Sequence, residues 1–142
     1  IVEERGVDNV KVGVFDIDGI MRGKYISRDK FLSALDGGFG FCDVVLGWDC
    51  QDQLYDNVKY TGWHTGYPDA PVRLLPDTCR SLRFEDNGLF FLGEFSPPAE
   101  SVCPRALLRR VLERGRAMGF EAYVGFEYEF FVFKETPESV RE

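Results

Sequence analysis

The stretch Glu121-Ala-Tyr-Val-Gly-Phe-Glu-Tyr-Glu-Phe-Phe-Val-Phe133 alternates in a way that predicts a β-strand. Successive side chains of a strand point to opposite faces, so one face would be apolar throughout. That face would consist of Ala122, Val124, Phe126, Tyr128, Phe130 and Val132. The opposite face would hold Glu127 and Glu129 about 6.5–7 Å apart, with aromatic residues beside them. Aromatic residues on both faces indicate a strand that is buried on both sides.

Glu127 and Glu129 are therefore predicted to be metal ligands. Two carboxylates held close together in apolar surroundings repel each other and resist losing water. A divalent cation removes both difficulties, and carboxylate oxygens suit Mg²⁺ or Mn²⁺. The alternative is a solvated strand edge on a generic acidic α/β domain, with both glutamates facing water.

Composition limits the class of protein. A chain of 142 residues with 44% hydrophobic residues can form one domain, or a small domain and part of another. The net charge of −7 argues against a nucleic-acid partner. No apolar run predicts a membrane span or a signal peptide, and the four cysteines are dispersed. We expect a cytoplasmic protein and, because the chain begins at Ile1, a piece of a longer one.

The first part of the chain reads as a mixed α/β unit. Alternation and turn signals predict strands over residues 10–15, 20–26, 39–46, 71–75, 81–84 and 89–95. Ser27 is placed to cap a short helix that ends at Gly37-Gly38. The polar and aromatic stretch 48–70 would be a long loop, and loops of that length are usually functional or mobile.

Pro97-Pro98 predicts a domain boundary, with domains at 1–98 and 99–142. Pro104 and Gly119 suit the two ends of a helix. Its buried stripe would be Leu108, Val111, Leu112 and Met118. Its solvated face would be Arg105, Arg109, Arg110, Glu113, Arg114 and Arg116. Because one helix and one strand cannot form a core, we expect residues 99–142 to pack on structure outside this chain.

Two further motifs allow other interpretations. Val14-Phe-Asp-Ile-Asp-Gly-Ile-Met21 has the outline of a haloacid-dehalogenase-like phosphatase motif, with Asp16 as nucleophile and Asp18 as acid/base. The same Asp-x-Asp-Gly pattern is also typical of a hairpin turn. His64 is the only histidine, and its aromatic neighbours favour a packed loop residue over a general base.

Gly125-Phe-Glu-Tyr-Glu-Phe-Phe-Val-Phe133 resembles the first metal-ligand motif of the glutamine synthetase family. In that motif each of two glutamates serves one of two metal ions. Pro104-Arg-x-Leu-Leu-x-Arg-Val111 is similar to the helix before the motif, and Leu75-Pro-Asp77 to a Pro-Asp element upstream. Asp16-x-x-Gly19-x-x-Arg22-Gly-Lys24 is similar to the opening hairpin of the branch that joins glutamate to amines other than ammonia.

The resemblance implies an α+β fold. Residues 1–98 would form a β-grasp-like N-terminal domain, and residues 99–142 the first helix and strand of a larger α/β catalytic domain. Homo-oligomeric rings would place each active site between two subunits, with the 48–70 loop reaching across. Asp49 would bind ammonium and accept its proton. The Gly-Ser-Ser that follows this aspartate in ammonia-using members is absent here, which favours a larger amine.

The resemblance also implies a reaction. ATP would phosphorylate the side-chain carboxylate of glutamate, and ammonia or an amine would displace phosphate to form a γ-glutamyl amide. Mg²⁺ or Mn²⁺ would be required, and we expect the 142-residue piece alone to be inactive. An alternative is a non-catalytic relative retained for assembly or binding, against which the intact Glu127/Glu129 pair argues.

Overall fold

The computed structural model describes residues 1–141, which contain a five-stranded mixed sheet. Its strands are β1 (Asn9–Phe15), β2 (Met21–Ser27), β3 (Phe39–Cys42), β4 (Asp69–Leu82) and β5 (Gly88–Phe95). The α-helices are α1 (Arg28–Gly37) and α2 (Pro104–Ala117). Three short 3₁₀ helices lie at Asp43–Leu46, Ala99–Ser101 and Ser139–Arg141.

The sheet order is β2-β1-β5-β4-β3, and β1 and β5 form its parallel pair. The other neighbouring strands are antiparallel, beginning with the β1–β2 hairpin that pairs Asn9 with Ser27 and Phe15 with Met21. Every second residue of β1 from Val10 to Val14 is a valine that faces the core, and Val10, Val12 and Val14 are fully buried. The α+β class predicted from the sequence is confirmed.

Helix α1 lies against the sheet and has the predicted ends. The Ser27 hydroxyl accepts a hydrogen bond from the Lys30 N–H at 3.3 Å, as an N-cap should. Phe31 and Ala34 are its buried residues, and the Phe31 ring lies 4.6 Å from that of Phe91 on β5. The helix therefore covers the sheet through a narrow apolar stripe.

Gly38 supplies a turn that another residue would strain. Its φ of 68° is in the left-handed region, and an added Cβ would lie 2.5 Å from the Val72 carbonyl oxygen. We expect Gly38→Ala to lower the free energy of unfolding by about 2 kcal/mol or more. Neighbouring Gly37 meets nothing within 4 Å, so Gly37→Ala is the matched control and should be neutral or slightly stabilising. Urea unfolding of both variants checks this, and equal losses would contradict it.

Two strand predictions differ from the structure in extent. The strand predicted over 39–46 ends at Cys42 and continues as the 3₁₀ helix Asp43–Leu46. The strands predicted over 71–75 and 81–84 fall on the single strand β4, which ends at Leu82 and whose pairing with β5 shifts between Leu75 and Arg80. Thr78 bridges this irregularity, since its hydroxyl donates to the Leu75 carbonyl at 2.6 Å and accepts from the Leu92 N–H at 2.9 Å.

The strand predicted over 121–133 is not formed within the described residues 1–141. This segment has no regular secondary structure, and all its side chains are exposed, including Phe126 at 81% and Phe131 at 87%. The predicted buried stripe of α2 is also largely exposed, at Leu108, Val111 and Met118. A strand needs a neighbour for its backbone groups, and an apolar stripe needs a facing surface. Residues 1–141 provide neither at this end.

The start of α2 is packed against the sheet. Ala99, Cys103 and Ala106 are buried in the same core as the strands, on both sides of the Pro104 that opens the helix. The domain boundary at residue 98 stays a prediction. Within residues 1–141, no helix is both long enough and apolar enough to cross a bilayer.

The prediction that the α2 charges form a solvated face is wrong for two arginines. Glu94 on β5 is only 3% exposed and pairs with Arg73 on β4. Its other oxygen lies 3.7 Å from Arg105 Nε and 3.6 Å from Arg109 Nε. A buried carboxylate requires cationic partners, so these arginines face the sheet and tie α2 to it.

Candidate functional site

Asp16 organises the turn between β1 and β2. Its side chain is fully buried, and its Oδ1 accepts hydrogen bonds from the N–H groups of Asp18 at 3.0 Å and Ile20 at 2.8 Å. Its Oδ2 accepts from Arg22 Nε at 2.8 Å. Both oxygens are therefore engaged in holding the turn. This geometry supports the hairpin-turn interpretation. It gives no support to the interpretation of Asp16 as a nucleophile of the phosphatase type.

Arg22 connects this turn to the loop that follows the Asp43–Leu46 helix. Its Nη1 lies 2.6 Å from Asp52 Oδ1, and its Nη2 donates to the Asp49 carbonyl at 3.4 Å. Its guanidinium lies 5.0 Å from the Trp48 ring centroid, within the range of a cation–π contact. The hydrogen bond to Asp16 is the main reason that the pKa of Arg22 is raised. One side chain thus contacts the turn and three residues of the loop.

Asp49 lies within a closed turn of that loop. Its Oδ1 accepts from the N–H groups of Gln51 at 2.8 Å and Gln53 at 2.9 Å, which fixes the carboxylate relative to the backbone. The turn is closed by a bridge between Trp48 and Leu54. Asp49 is half-buried, and among residues 1–141 only Oδ1 of its carboxylate takes part in hydrogen bonds. Oδ2 is left for another donor.

The surroundings of Asp49 are acidic. Asp18 Oδ2 accepts from the Cys50 N–H at 2.9 Å, which adds a second tie between turn and loop. Burial raises the pKa of Tyr55, and the negative charges of Asp18 and Asp49 raise it further. Asp16, Asp18, Asp49 and Asp52 lie in the turn and loop that Arg22 connects, so these two segments carry a net negative charge.

The structure does not bring the three predicted site residues into one ligand cluster. Glu127 and Glu129 lie in the exposed segment 121–133. Within the described part of the chain, no group of three or more His, Cys, Asp or Glu side chains is arranged to hold a metal ion. His64 lies in a loop as predicted, but the prediction that it is packed is wrong, because the residue is exposed and its ring Nε2 lies 3.2 Å from the Lys59 carbonyl oxygen.

Comparison with known proteins identifies the family. Residues 101–142 match the family model of the glutamine synthetase catalytic domain. Type-1 glutamine synthetase 2 of Dictyostelium discoideum is 42% identical over 92% of this chain. The chain belongs to the glutamine synthetase family. It is also 32% identical, over 98% of its length, to glutamate–isopropylamine ligase of Pseudomonas sp.

The family match covers only part of each relative. The chain spans 26% of the Dictyostelium protein and 31% of the Pseudomonas ligase. The solved structure of GmaS without ligand has a similar fold and matches 83% of this chain with a TM-score of 0.61 at 18% identity. That match covers 25% of GmaS.

Proposed function

We propose that this chain is the amino-terminal portion of an ATP-dependent ligase that joins glutamate to ammonia or an amine. The product would be a γ-glutamyl amide, formed through γ-glutamyl phosphate. The observation that carries the proposal is similarity along nearly the whole chain to a glutamine synthetase and a glutamate–amine ligase, with the Gly-Phe-Glu-Tyr-Glu-Phe-Phe motif intact. Residues 1–98 would be the N-terminal domain, and residues 99–142 the start of the catalytic domain.

Glu127 and Glu129 would each hold one divalent ion, Mg²⁺ or Mn²⁺. Their carboxylate oxygens are the donors that these hard cations prefer, so the residues fit the metal in chemical type. Two carboxylates cannot complete an octahedral shell, and the remaining donors would come from outside the described residues. When bound, such ions neutralise charge on phosphoryl oxygens.

Segment 121–133 would become a strand once the rest of the catalytic domain covers it. Support comes from its exposure, because Tyr123, Phe126 and Phe131 are each more than 80% exposed. Soluble proteins seldom leave a contiguous apolar surface of this kind uncovered unless it meets a partner surface. Burial on both faces would then place the two carboxylates in the apolar surroundings that the neighbouring aromatic residues indicate.

Asp49 would attract the protonated amine and accept its proton before the amine attacks. The half-buried carboxylate has Oδ1 fixed by two N–H groups and Oδ2 available, in surroundings of net negative charge. Electrostatic attraction and a nearby base are what this step requires, since alkylamines and ammonia are protonated at neutral pH. The 48–70 loop would carry Asp49 to the catalytic domain of a neighbouring subunit in a homo-oligomeric ring, in the cytoplasm.

A larger amine than ammonia is the acceptor that this loop favours. The segment after Asp49 reads Cys50-Gln51-Asp52 in place of the Gly-Ser-Ser implied for ammonia-using members. The similarity to an isopropylamine ligase, which covers 98% of the chain, supports the same choice. The second candidate is a non-catalytic relative retained for assembly or binding.

Steady-state kinetics of the full-length protein test the proposal. We expect phosphate release from ATP to require both glutamate and an amine, with alkylamines preferred over ammonia. Asp49→Asn should lower kcat/KM for the amine about 10²- to 10⁴-fold, because it removes the base and the charge. Exposed Asp36 on α1 provides the control, as Asp36→Asn should retain full activity. Absence of phosphate release with every amine tried would favour the non-catalytic relative.

A further inference from the structure

Among residues 1–141, Arg22 is the one side chain that contacts the buried turn aspartate and also three residues of the Asp49 loop. We infer that Arg22 is a positioning residue for Asp49: it holds the 48–54 loop so that the free carboxylate oxygen meets the acceptor amine. This inference rests on the proposed ligase function for the role of Asp49. It assigns Arg22 no contact with the substrate.

Arg22 is held in place by the buried Asp16. Asp16 is fully buried, its Oδ1 accepts from the N–H groups of Asp18 and Ile20, and its Oδ2 accepts from Arg22 Nε at 2.8 Å. Arg22 itself is on β2, paired with Val14 of β1. The planar guanidinium can then direct its other nitrogens toward the loop, which is a geometry that lysine cannot reproduce.

The loop depends on that anchor. Residues 50–53 are exposed, and Asp52 has a φ of 62°, a conformation that costs free energy for a residue with a side chain. The ion pair of Asp52 with Arg22 at 2.6 Å and the Asp49 carbonyl contact at 3.4 Å hold the backbone on both sides of Gln51. Gln51 and Gln53 in turn donate to Asp49 Oδ1, so the loop backbone sets the direction of the carboxylate.

A positioning role and a purely electrostatic role of Arg22 predict opposite effects of its removal on the reaction with the amine. If its charge alone mattered, its loss would leave the site more negative and would strengthen attraction of the protonated amine. If it positions Asp49, its loss would misplace the base, and a displacement of about 1 Å can cost about 10²-fold in rate. Whether kcat/KM for the amine rises or falls therefore distinguishes the electrostatic role from the positioning role.

Kinetics of full-length Arg22→Lys and Arg22→Gln form the first test. We expect kcat/KM for the amine to fall about 10- to 100-fold in both variants, with KM for glutamate and ATP within twofold of the parent. Lys11→Gln is the control, because Lys11 lies on β1 and pairs with Glu85 instead of the loop. Unchanged or improved amine kinetics, or equal changes in all three KM values, would overturn the inference.

Hydrogen exchange in the same full-length proteins forms the second test and needs no activity. We expect protection of the Gln51 and Gln53 amides to fall at least tenfold in Arg22→Lys and to be unchanged in Lys11→Gln. Unchanged protection in Arg22→Lys would overturn the inference. If the parent protein forms no amide with any amine, the proposed function fails, and this exchange result alone decides whether Arg22 holds the loop.

Discussion

Glu129→Gln in the full-length protein is expected to abolish amide formation, with a loss of about 10³-fold or more in kcat. The substitution keeps the size of the side chain and removes its charge, so the site would lose an anionic ligand. Glu127→Gln should have a comparable effect, since each glutamate is proposed to serve a different ion. The measurement is phosphate release with saturating glutamate, ATP and amine.

Glu121→Gln is the matched control for this experiment. Glu121 lies in the same exposed segment and has the same alternation parity as Glu127 and Glu129, but it precedes the motif. It should retain activity within about twofold, since it is not proposed to contact a metal ion. Full turnover by Glu129→Gln would contradict the metal-ligand assignment, whatever the behaviour of the control.

Asp16→Ala is expected to lower the free energy of unfolding by about 3 kcal/mol. The change leaves the N–H groups of Asp18 and Ile20 without their acceptor and leaves Arg22 without its buried partner. Urea unfolding of the 142-residue chain, followed by Trp fluorescence, measures the loss. Trp48 contacts Arg22, so its emission should report on the same region.

Two variants calibrate that loss. Asp16→Asn can keep one oxygen for the turn while presenting an amide N–H₂ to Arg22, so it should cost about half as much. Asp36→Ala removes an exposed carboxylate on α1 and should change stability by less than about 0.5 kcal/mol. Equal stabilities of Asp16→Ala and the parent would contradict the structural role of Asp16.

The β-sheet portion of the fold was predictable because its signals are local. Asp18-Gly19 marks the hairpin turn, Ser27 caps α1, and the valines of β1 alternate with smaller or polar residues. Each of these features is determined by residues that are close together in sequence. The sequence does not show that the two predicted strands form the single strand β4. Thr78 bridges the irregularity between them through a hydrogen bond from Leu92 on β5, and local sequence does not reveal such a contact between strands.

The carboxyl-terminal portion shows where a pattern is insufficient. The alternation of residues 121–133 predicts which side chains would share a face of a strand. A strand forms only when a neighbouring strand pairs with its backbone N–H and C=O groups. The charges of α2 likewise suggested a solvated face, because the buried Glu94 that attracts Arg105 and Arg109 lies on another element. Both outcomes depend on tertiary partners.

The candidate site is predictable only in part. The role of Asp49 stays a prediction from the family resemblance, and its acidic surroundings come from residues that lie far apart in sequence. Arg22 and Asp52 are thirty positions apart, and nothing local indicates that they form an ion pair. The motif containing Arg22 pointed to a hairpin, which is confirmed, but the link from that hairpin to the loop required coordinates.

Anomalous diffraction from the full-length assembly soaked with Mn²⁺ and a nucleotide tests the central claim most directly. The account predicts two anomalous peaks, one about 2 Å from a carboxylate oxygen of Glu127 and one at the same distance from Glu129. It also predicts that both side chains lie on a strand covered on its two faces. Peaks located elsewhere, with the two carboxylates facing bulk solvent, would contradict the account.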